Sequence, residues 1–293
     1  MKIEEQYNLA KDNLNGRLFA PYQREGVLWM LTMESQDSGP KGGFLCDEMG
    51  LGKTVQLVAT ILGNPKKSTL IVVPKSIITQ WVNEIGKFAP QLSVHVFDGP
   101  NRTLKEADIV IVPYSLLSTN EVTVIHMKSW DRIVLDEAHE IRNKKSKLFK
   151  SVNRIKAEIK WIVTGTPVFN SMEDFVSLCA FLGIDKSMVQ GMTNKIQDIY
   201  ILRRTKDDLA KISERLRLPD CHFENVELDM FPDERQLYEL VFQDAQDTIR
   251  EAFKHAISLN SKNMVILMVW QKRMGQKRRN GLGDPTRWRH SFV

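Results

Sequence analysis

Short, mostly apolar runs, four or five residues long, recur at 43–46, 69–73, 93–97, 108–112, 132–135 and 160–163, most of them rich in Val and Ile. Between most of them the apolar residues fall three or four apart, as in Ile77, Trp81, Ile85 and Phe88. A strand with one wet face alternates apolar and polar residues, whereas a continuous apolar run marks a strand covered on both faces. Strands alternating with helices therefore predict an α/β fold, a mostly parallel sheet with helices on both faces. Pro21 suits the first turn of a helix running through YQREGVLWML. A glycine-bearing loop after 43–46 leads into another helix that begins near Lys53.

Past Phe181 the pattern changes. Segments 199–203 and 222–228 read as strands. Pro232 starts a long amphipathic helix with Asp233 and Glu234 in its first turn, where the helix dipole favours negative charge. Tyr238, Val241, Phe242, Ala245, Ile249, Ala252, Phe253 and Ile257 carry its apolar spacing. Segment 271–293 holds seven basic residues against one acid, Asp284, has no periodicity, and reads as a basic tail. There is no internal repeat.

Apolar residues at 42% and charged residues at 26% are an ordinary globular balance, which excludes wholesale disorder. The formal charge of +5 permits a polyanionic partner without demonstrating one. Three cysteines, Cys46, Cys179 and Cys221, too far apart for a C-x-x-C pair, exclude a disulfide framework and point to a reducing, intracellular setting. The polar, charged residues 1–14 are no signal peptide, and no apolar run is long enough for a bilayer, so no membrane partner is expected.

The sharpest chemical signal is Asp47-Glu48-Met49-Gly50-Leu51-Gly52-Lys53-Thr54, between a strand and a helix. Such a loop turns successive backbone N–H groups toward a polyphosphate, and the helix N-terminus adds partial positive charge. Gly50 and Gly52 allow backbone angles that a side chain would hinder. Lys53 is placed to reach the β and γ phosphates, and the Thr54 hydroxyl to ligate Mg²⁺. The strict pattern asks for Gly at position 47, where this chain has Asp. Directly after 132–135 comes Asp136-Glu137-Ala138-His139. A carboxylate at the C-terminal end of a neighbouring strand is where a Mg²⁺-holding acid sits in this architecture. Asp136 is the candidate metal holder, through water, and Glu137 the candidate for orienting or deprotonating the attacking water. Thr164-Gly165-Thr166-Pro167 closes another strand, where small hydroxyl residues can bond toward His139 and sense the γ-phosphate. Taken alone, it is a plain Thr/Gly/Pro turn.

From about Leu18 to about Tyr238 these segments, in this order, resemble superfamily-two helicases, and within them the SWI/SNF-type DNA translocases. Leu18 to Val27 (LFAPYQREGV) is similar to the family's opening motif, with Gln23 in the place of its adenine-reading glutamine. LIVVPKSIITQW (70–81), IVIVPYSLL (109–117), VTGTPVFN (163–170) and ILRRTK (201–206) resemble later motifs, and Leu218-Pro219 with Gln236-Leu237-Tyr238 the link into a second lobe. The resemblance implies a RecA-like phosphate-loop lobe, ATP with Mg²⁺ as cofactors, ATP hydrolysis, and duplex DNA held by phosphate contacts without sequence reading. It implies coupling roles for His139, Thr164, Gly165 and Thr166, and DNA contacts at Pro74, Lys75, Ser76, Tyr114 and Ser115. DEAH-box RNA helicases share the phosphate loop and the 136–139 box but not the GTP-x-x-N and LRRTK-like pair.

The expected organisation is an N-terminal extension (1–17), a RecA-like ATP-binding domain (18–198), a linker with an incomplete start of a second lobe (199–270), and the basic tail (271–293). A second RecA-like lobe needs about 150 residues, and 55 follow Tyr238. The arginine that completes the ATP site from that lobe has no counterpart with the right neighbours, so Arg273, Arg278 and Arg279 are not assigned to it. Two functions therefore compete for this polypeptide: an ATP-dependent DNA translocase, complete or completed in trans by a protein supplying the second lobe, and a turnover-deficient module that binds nucleotide and DNA. An RNA helicase fragment is a weaker third. A nucleus and a viral factory are equally open as settings.

Overall fold

The structure is a computed structural model and describes residues 1–18, 20–100, 102–118, 121–165, 172–210, 224, 226–258 and 287–290. It divides into two compact units, Met1–Leu218 and Pro219–Val293. The first unit opens with helices α1 (Ile3–Asn13) and α2 (Ala20–Glu34), then β1 (Lys41–Leu45), α3 (Lys53–Gly63), β2 (Thr69–Val73), α4 (Ile78–Phe88), β3 (Val94–Val96) and β4 (Ile109–Pro113). It continues with two single-turn helices, α5 (Tyr114–Leu117) and α6 (Val124–Met127), then β5 (Trp130–Asp136), α7 (Lys147–Val152) and β6 (Ala157–Val163). Helices α8 (Met172–Leu182) and α9 (Lys186–Tyr200), the short strand β7 (Ile201–Leu202) and α10 (Lys206–Ala210) follow. The second unit holds β8 (Val226–Asp229), α11 (Pro232–Ser258) and β9 (Arg287–His290).

The strands of the first unit form one seven-stranded sheet in the order β3-β4-β2-β5-β6-β1-β7, and every neighbouring pair is parallel. Successive strand residues face opposite sides, and both sides are largely dry over β1, β2, β4, β5 and β6, while the edge strands β3 and β7 are only partly buried. Leu70, Val72, Ile133, Leu135 and Ile162 join a core with Phe149 of α7, Phe175 and Phe181 of α8, and Val189 and Ile196 of α9. Ile71, Val73, Val134, Trp161 and Val163 join a second core with α1 to α4. Double coverage is why these strands read as unbroken apolar runs.

The polar N-terminal stretch contains α1, whose Tyr7 and Ala10, with Leu14 beyond its end, bury against the second of these cores. The tail stretch without periodicity contains β9, which pairs antiparallel with β8 from Val226↔His290 to Asp229↔Arg287. Its other residues, and most of 222–228, lie outside the described residues, as does Cys221. Cys46 and Cys179 are free and buried, and burial pushes both thiols up to about 12. Among the described residues, no helix is long and apolar enough to cross a membrane.

At the N-terminal edge of the sheet lies a fully buried ion pair, Arg132 on β5 with Glu34 at the end of α2. The Arg132 Nε donates to Glu34 Oε1 at 2.7 Å, and the same carboxylate accepts from Trp161 Nε1 at 2.8 Å and Asn64 Nδ2 at 2.7 Å. Arg132 also donates to Thr69 Oγ1 at 3.2 Å and to the Asn64 carbonyl at 2.9 Å. Every partner comes from a different element, so the pair fixes α2 and the end of α3 against β2, β5 and β6.

His126 caps α6. Its Nδ1 accepts from the Thr123 N–H at 3.1 Å, which leaves Nε2 to donate to Ser151 Oγ at 3.0 Å. This geometry needs the neutral ring, and burial also lowers the His126 pKa. Neutral histidine is therefore favoured in the folded state. Its stabilisation is present above the ordinary histidine pKa of about 6.5 and is lost as the pH falls below it. Thermal melts between pH 7.5 and 5.5 are expected to show a loss on the order of one hydrogen bond, about 0.5–1.5 kcal/mol. A His126→Gln variant should lack that step; an identical pH dependence in the variant would contradict the assignment.

Candidate nucleotide site

Because all seven strands are parallel, their C-terminal ends share one edge of the sheet. That edge is where open α/β folds bind ligands. It collects the phosphate loop after β1, Pro74 to Ser76 after β2, Tyr114 and Ser115 directly after β4, Asp136 and Glu137 at the end of β5, Thr164 and Gly165 after β6, and Arg203 and Arg204 after β7. In sheet order β6 separates β5 from β1, so the Thr164–Gly165 turn lies between the acidic box and the phosphate loop.

The loop has the backbone its glycines predict. Gly50 and Gly52 sit at φ +89° and +78°, and a Cβ on Gly52 would come within 2.4 Å of Gln23 Nε2. Gly52 caps α3, so the first N–H groups of that helix open into the loop. Lys53 Nζ donates to the Asp47 carbonyl at 2.9 Å. Burial lowers its pKa, opposed by the nearby negative charges of Asp136, Asp47 and Glu137. Gly165 brings the end of β6 close: a Cβ there would lie 3.3 Å from Lys53 Nζ and 3.6 Å from the Met49 nitrogen. Thr54 follows in the first helical turn, half-buried.

Asp136 is held from two sides. Its Oδ2 accepts from Trp81 Nε1 at 2.8 Å and its Oδ1 from the Glu137 N–H at 3.0 Å. Burial raises its pKa, while the Trp81 hydrogen bond pulls the other way. Among the described residues Glu137 is the single non-glycine at positive φ, +51°. A left-handed carboxylic residue costs on the order of 1–3 kcal/mol and survives where its surroundings enforce it. His139 Nδ1 lies 3.2 Å from Glu137 Oε2. Thr164 is buried, and its N–H donates to the Leu45 carbonyl at 3.2 Å. Thr166 is outside the described residues.

Three of the candidate residues are buried. Gln23 is buried, and its Nε2 donates to the Leu51 carbonyl at 3.1 Å, so the amide braces the phosphate loop here. Asp47 points its carboxylate inward, fully buried, and not toward the loop's interior. Tyr114, expected to touch DNA, is buried, and its hydroxyl donates to the Asp136 carbonyl at 2.9 Å. A ring packed beneath the acidic box supports that box and offers no surface to a duplex. Lys75, Ser76 and Ser115 are exposed, with Lys75 ion-paired to Asp98 at 3.0 Å, and Pro74 is half-buried.

Two residues that the sequence reading did not single out belong to the site. Arg204 binds the Asp47 carboxylate through Nε at 2.9 Å and through Nη2, and Gln56 Nε2 reaches Asp47 Oδ2 at 3.1 Å. The available signal was Asp47 itself: a carboxylate at a glycine position, if buried, needs a cation.

Parallel sheet, phosphate loop and strand-end carboxylates define a RecA-like α/β lobe. The chain belongs to the SNF2 family: the SNF2-related domain matches residues 22–192. It is 30% identical to an uncharacterised ATP-dependent helicase of Mycoplasma pneumoniae, over 96% of this chain and 29% of that protein. It is also 30% identical to the putative ATP-dependent helicase/translocase YwqA of Bacillus subtilis, over 85% of this chain and 29% of that protein. Among solved structures it resembles the Sulfolobus solfataricus SWI2/SNF2 ATPase core in complex with dsDNA, with a TM-score of 0.61 at 28% identity, over 88% of this chain and 57% of that one. The chain thus spans under a third of the length of these two relatives.

Proposed function

We propose that this chain is the ATP-binding lobe of a SNF2-type translocase acting on duplex DNA without sequence preference. One observation carries the reading: the loop from Gly50 to Thr54, Asp136 with Glu137, and Gly165 converge around Lys53 at the ligand-binding edge of a parallel sheet. Relatives named as ATP-dependent helicases, and a similar ATPase core solved on dsDNA, support it.

Loop N–H groups and the α3 N-terminus bind the phosphates, and Lys53 adds a charge-assisted contact. The Thr54 hydroxyl and the Asp136 carboxylate are oxygen donors of the kind a hard divalent cation takes. Among the described residues no three acidic, His or Cys side chains cluster to hold a metal alone. This fits Mg²⁺, which binds through one or two protein groups together with phosphate oxygens. When bound, Mg²⁺ supplies charge neutralisation at the phosphates. Glu137 holds the attacking water and takes its proton. His139, beside Glu137, and the Thr164–Gly165 turn relay phosphate occupancy toward the DNA side, where Lys75, Ser76 and Ser115 face solvent. The second lobe, with the arginine that completes the ATP site, comes from a partner or from further chain.

Lys53→Ala is expected to cost roughly 1.5–3 kcal/mol of ATP affinity, about a tenfold to hundredfold loss. The folded protein keeps that ammonium at a desolvation cost, so the variant's melting temperature without nucleotide should not fall. Calorimetry showing equal ATP affinity in wild type and Lys53→Ala would refute the site.

A further inference from the structure

A phosphate loop that opens with aspartate places a carboxylate directly behind a site for a polyanion. The structure shows how this chain accommodates it. Asp47 is wholly buried, and Arg204, 157 residues further on, closes on it with both arms of the guanidinium, Nε to Oδ1 at 2.9 Å and Nη2 to Oδ2. Gln56 of α3 bridges the two, donating to Asp47 Oδ2 at 3.1 Å and accepting from Arg204 Nη2 at 2.8 Å. The remaining arm, Nη1, donates to the Tyr22 carbonyl. The backbone repeats the connection: Cys46 N–H donates to the Leu202 carbonyl at 2.7 Å, and Glu48 N–H to the Arg204 carbonyl at 2.9 Å. Lys206 N–H donates to Glu48 Oε2 at 2.7 Å. Gly26 leaves the room this needs, since a Cβ there would come within 1.9 Å of Gln56 Oε1 and 2.8 Å of Arg204 Nη2.

We propose that Arg204 is a positioning residue of the nucleotide site, which fixes the first residue of the phosphate loop and cancels the Asp47 charge behind the bound phosphates. The inference rests on the ATP site proposed above. Asp47 offers its carbonyl to Lys53 and its carboxylate to Arg204, so one residue links the phosphate-binding lysine to the segment leaving β7. Without Arg204 the buried carboxylate stands behind the phosphates without its cation and repels them. Without the carboxylate, the guanidinium charge stands unopposed behind the phosphates and attracts them.

A plain structural staple and an electrostatic positioning residue differ in the sign of one effect. Both Arg204→Gln and Asp47→Asn break a buried pair and should lower the melting temperature. Calorimetry with MgATP and MgADP on the full chain is expected to show Arg204→Gln weakening ATP by about tenfold, and ADP by less, because a Coulomb effect scales with phosphate charge. Asp47→Asn is expected to tighten ATP although it destabilises the protein, and the double variant to return toward wild-type affinity. If both single variants weaken ATP and ADP alike, in step with their melting temperatures, Arg204 is a staple and the inference fails. Should Arg204→Gln not fold, Asp47→Asn decides alone: weaker ATP binding overturns the proposal. Lys53→Ala separates the two levels. Loss of ATP in Lys53→Ala with none in Arg204→Gln sinks only this inference, whereas a wild type that binds no ATP sinks the site itself.

Discussion

Supplying a second SNF2-type lobe in trans is expected to raise ATP turnover by this 293-residue polypeptide by a factor on the order of 10³–10⁵. The chain alone should hydrolyse ATP very slowly, with little stimulation by DNA. The described residues bring together the phosphate loop, Lys53, Thr54, Asp136 and Glu137. These are proposed to bind and orient the nucleotide, but no arginine is assigned to offset the charge that builds on the transferred phosphoryl group. An arginine in that role is worth the factor just given wherever it has been removed or added. Glu137→Gln should abolish the gain while sparing ATP affinity, because the amide keeps the size of the side chain and loses the base. A steady-state assay of chain, chain plus lobe, and the Glu137→Gln pair reads all of this. Robust DNA-stimulated hydrolysis by the purified monomer would overturn the division of labour between the lobes.

Removing Arg132 is expected to have the largest effect on stability. Arg132→Met leaves the Glu34 carboxylate fully buried with Trp161 and Asn64 as donors and no cation. Breaking a buried pair by deleting one partner costs about 3–5 kcal/mol. Total stability is about 5–15 kcal/mol for a typical domain, so the variant should be marginal at 37 °C. Replacing both members, Glu34→Leu with Arg132→Met, should recover much of the loss, since apolar pairs of similar volume often substitute well. Urea unfolding reads the difference. The pair lies at the N-terminal edge of the sheet and the phosphate loop at the C-terminal edge. ATP affinity per folded molecule should therefore stay at the wild-type level. Equal midpoints for wild type and Arg132→Met would contradict the role given to the pair.

The sheet was readable because its central strands β2, β4 and β5 are largely dry on both faces, and Val/Ile-rich runs have few other uses in a chain this polar. Helix α4 was readable from Ile77, Trp81, Ile85 and Phe88. Helix α1 was not: Tyr7, Ala10 and Leu14 have helical spacing, but charged neighbours dilute it, and burial comes from the helices it packs on. The phosphate loop and the acidic box were legible because local chain geometry creates them. The Asp47–Arg204 pair was not, because its halves are 157 residues apart and meet only where β7 adds beside β1. Tyr114 misled for a related reason. A tyrosine at a strand end looks available, and only the packing of α5 beneath Asp136 turns it inward.

The C-terminal edge of this sheet is the proposed ATP site. A crystal structure of the chain with Mg²⁺ and a non-hydrolysable ATP analogue tests it most directly. Phosphates are expected against the N–H groups of Gly50 to Thr54, with the Lys53 ammonium on the terminal phosphates and the metal between Thr54 and the Asp136 side. Nucleotide bound away from that loop, or a loop left empty at saturating analogue, would contradict it.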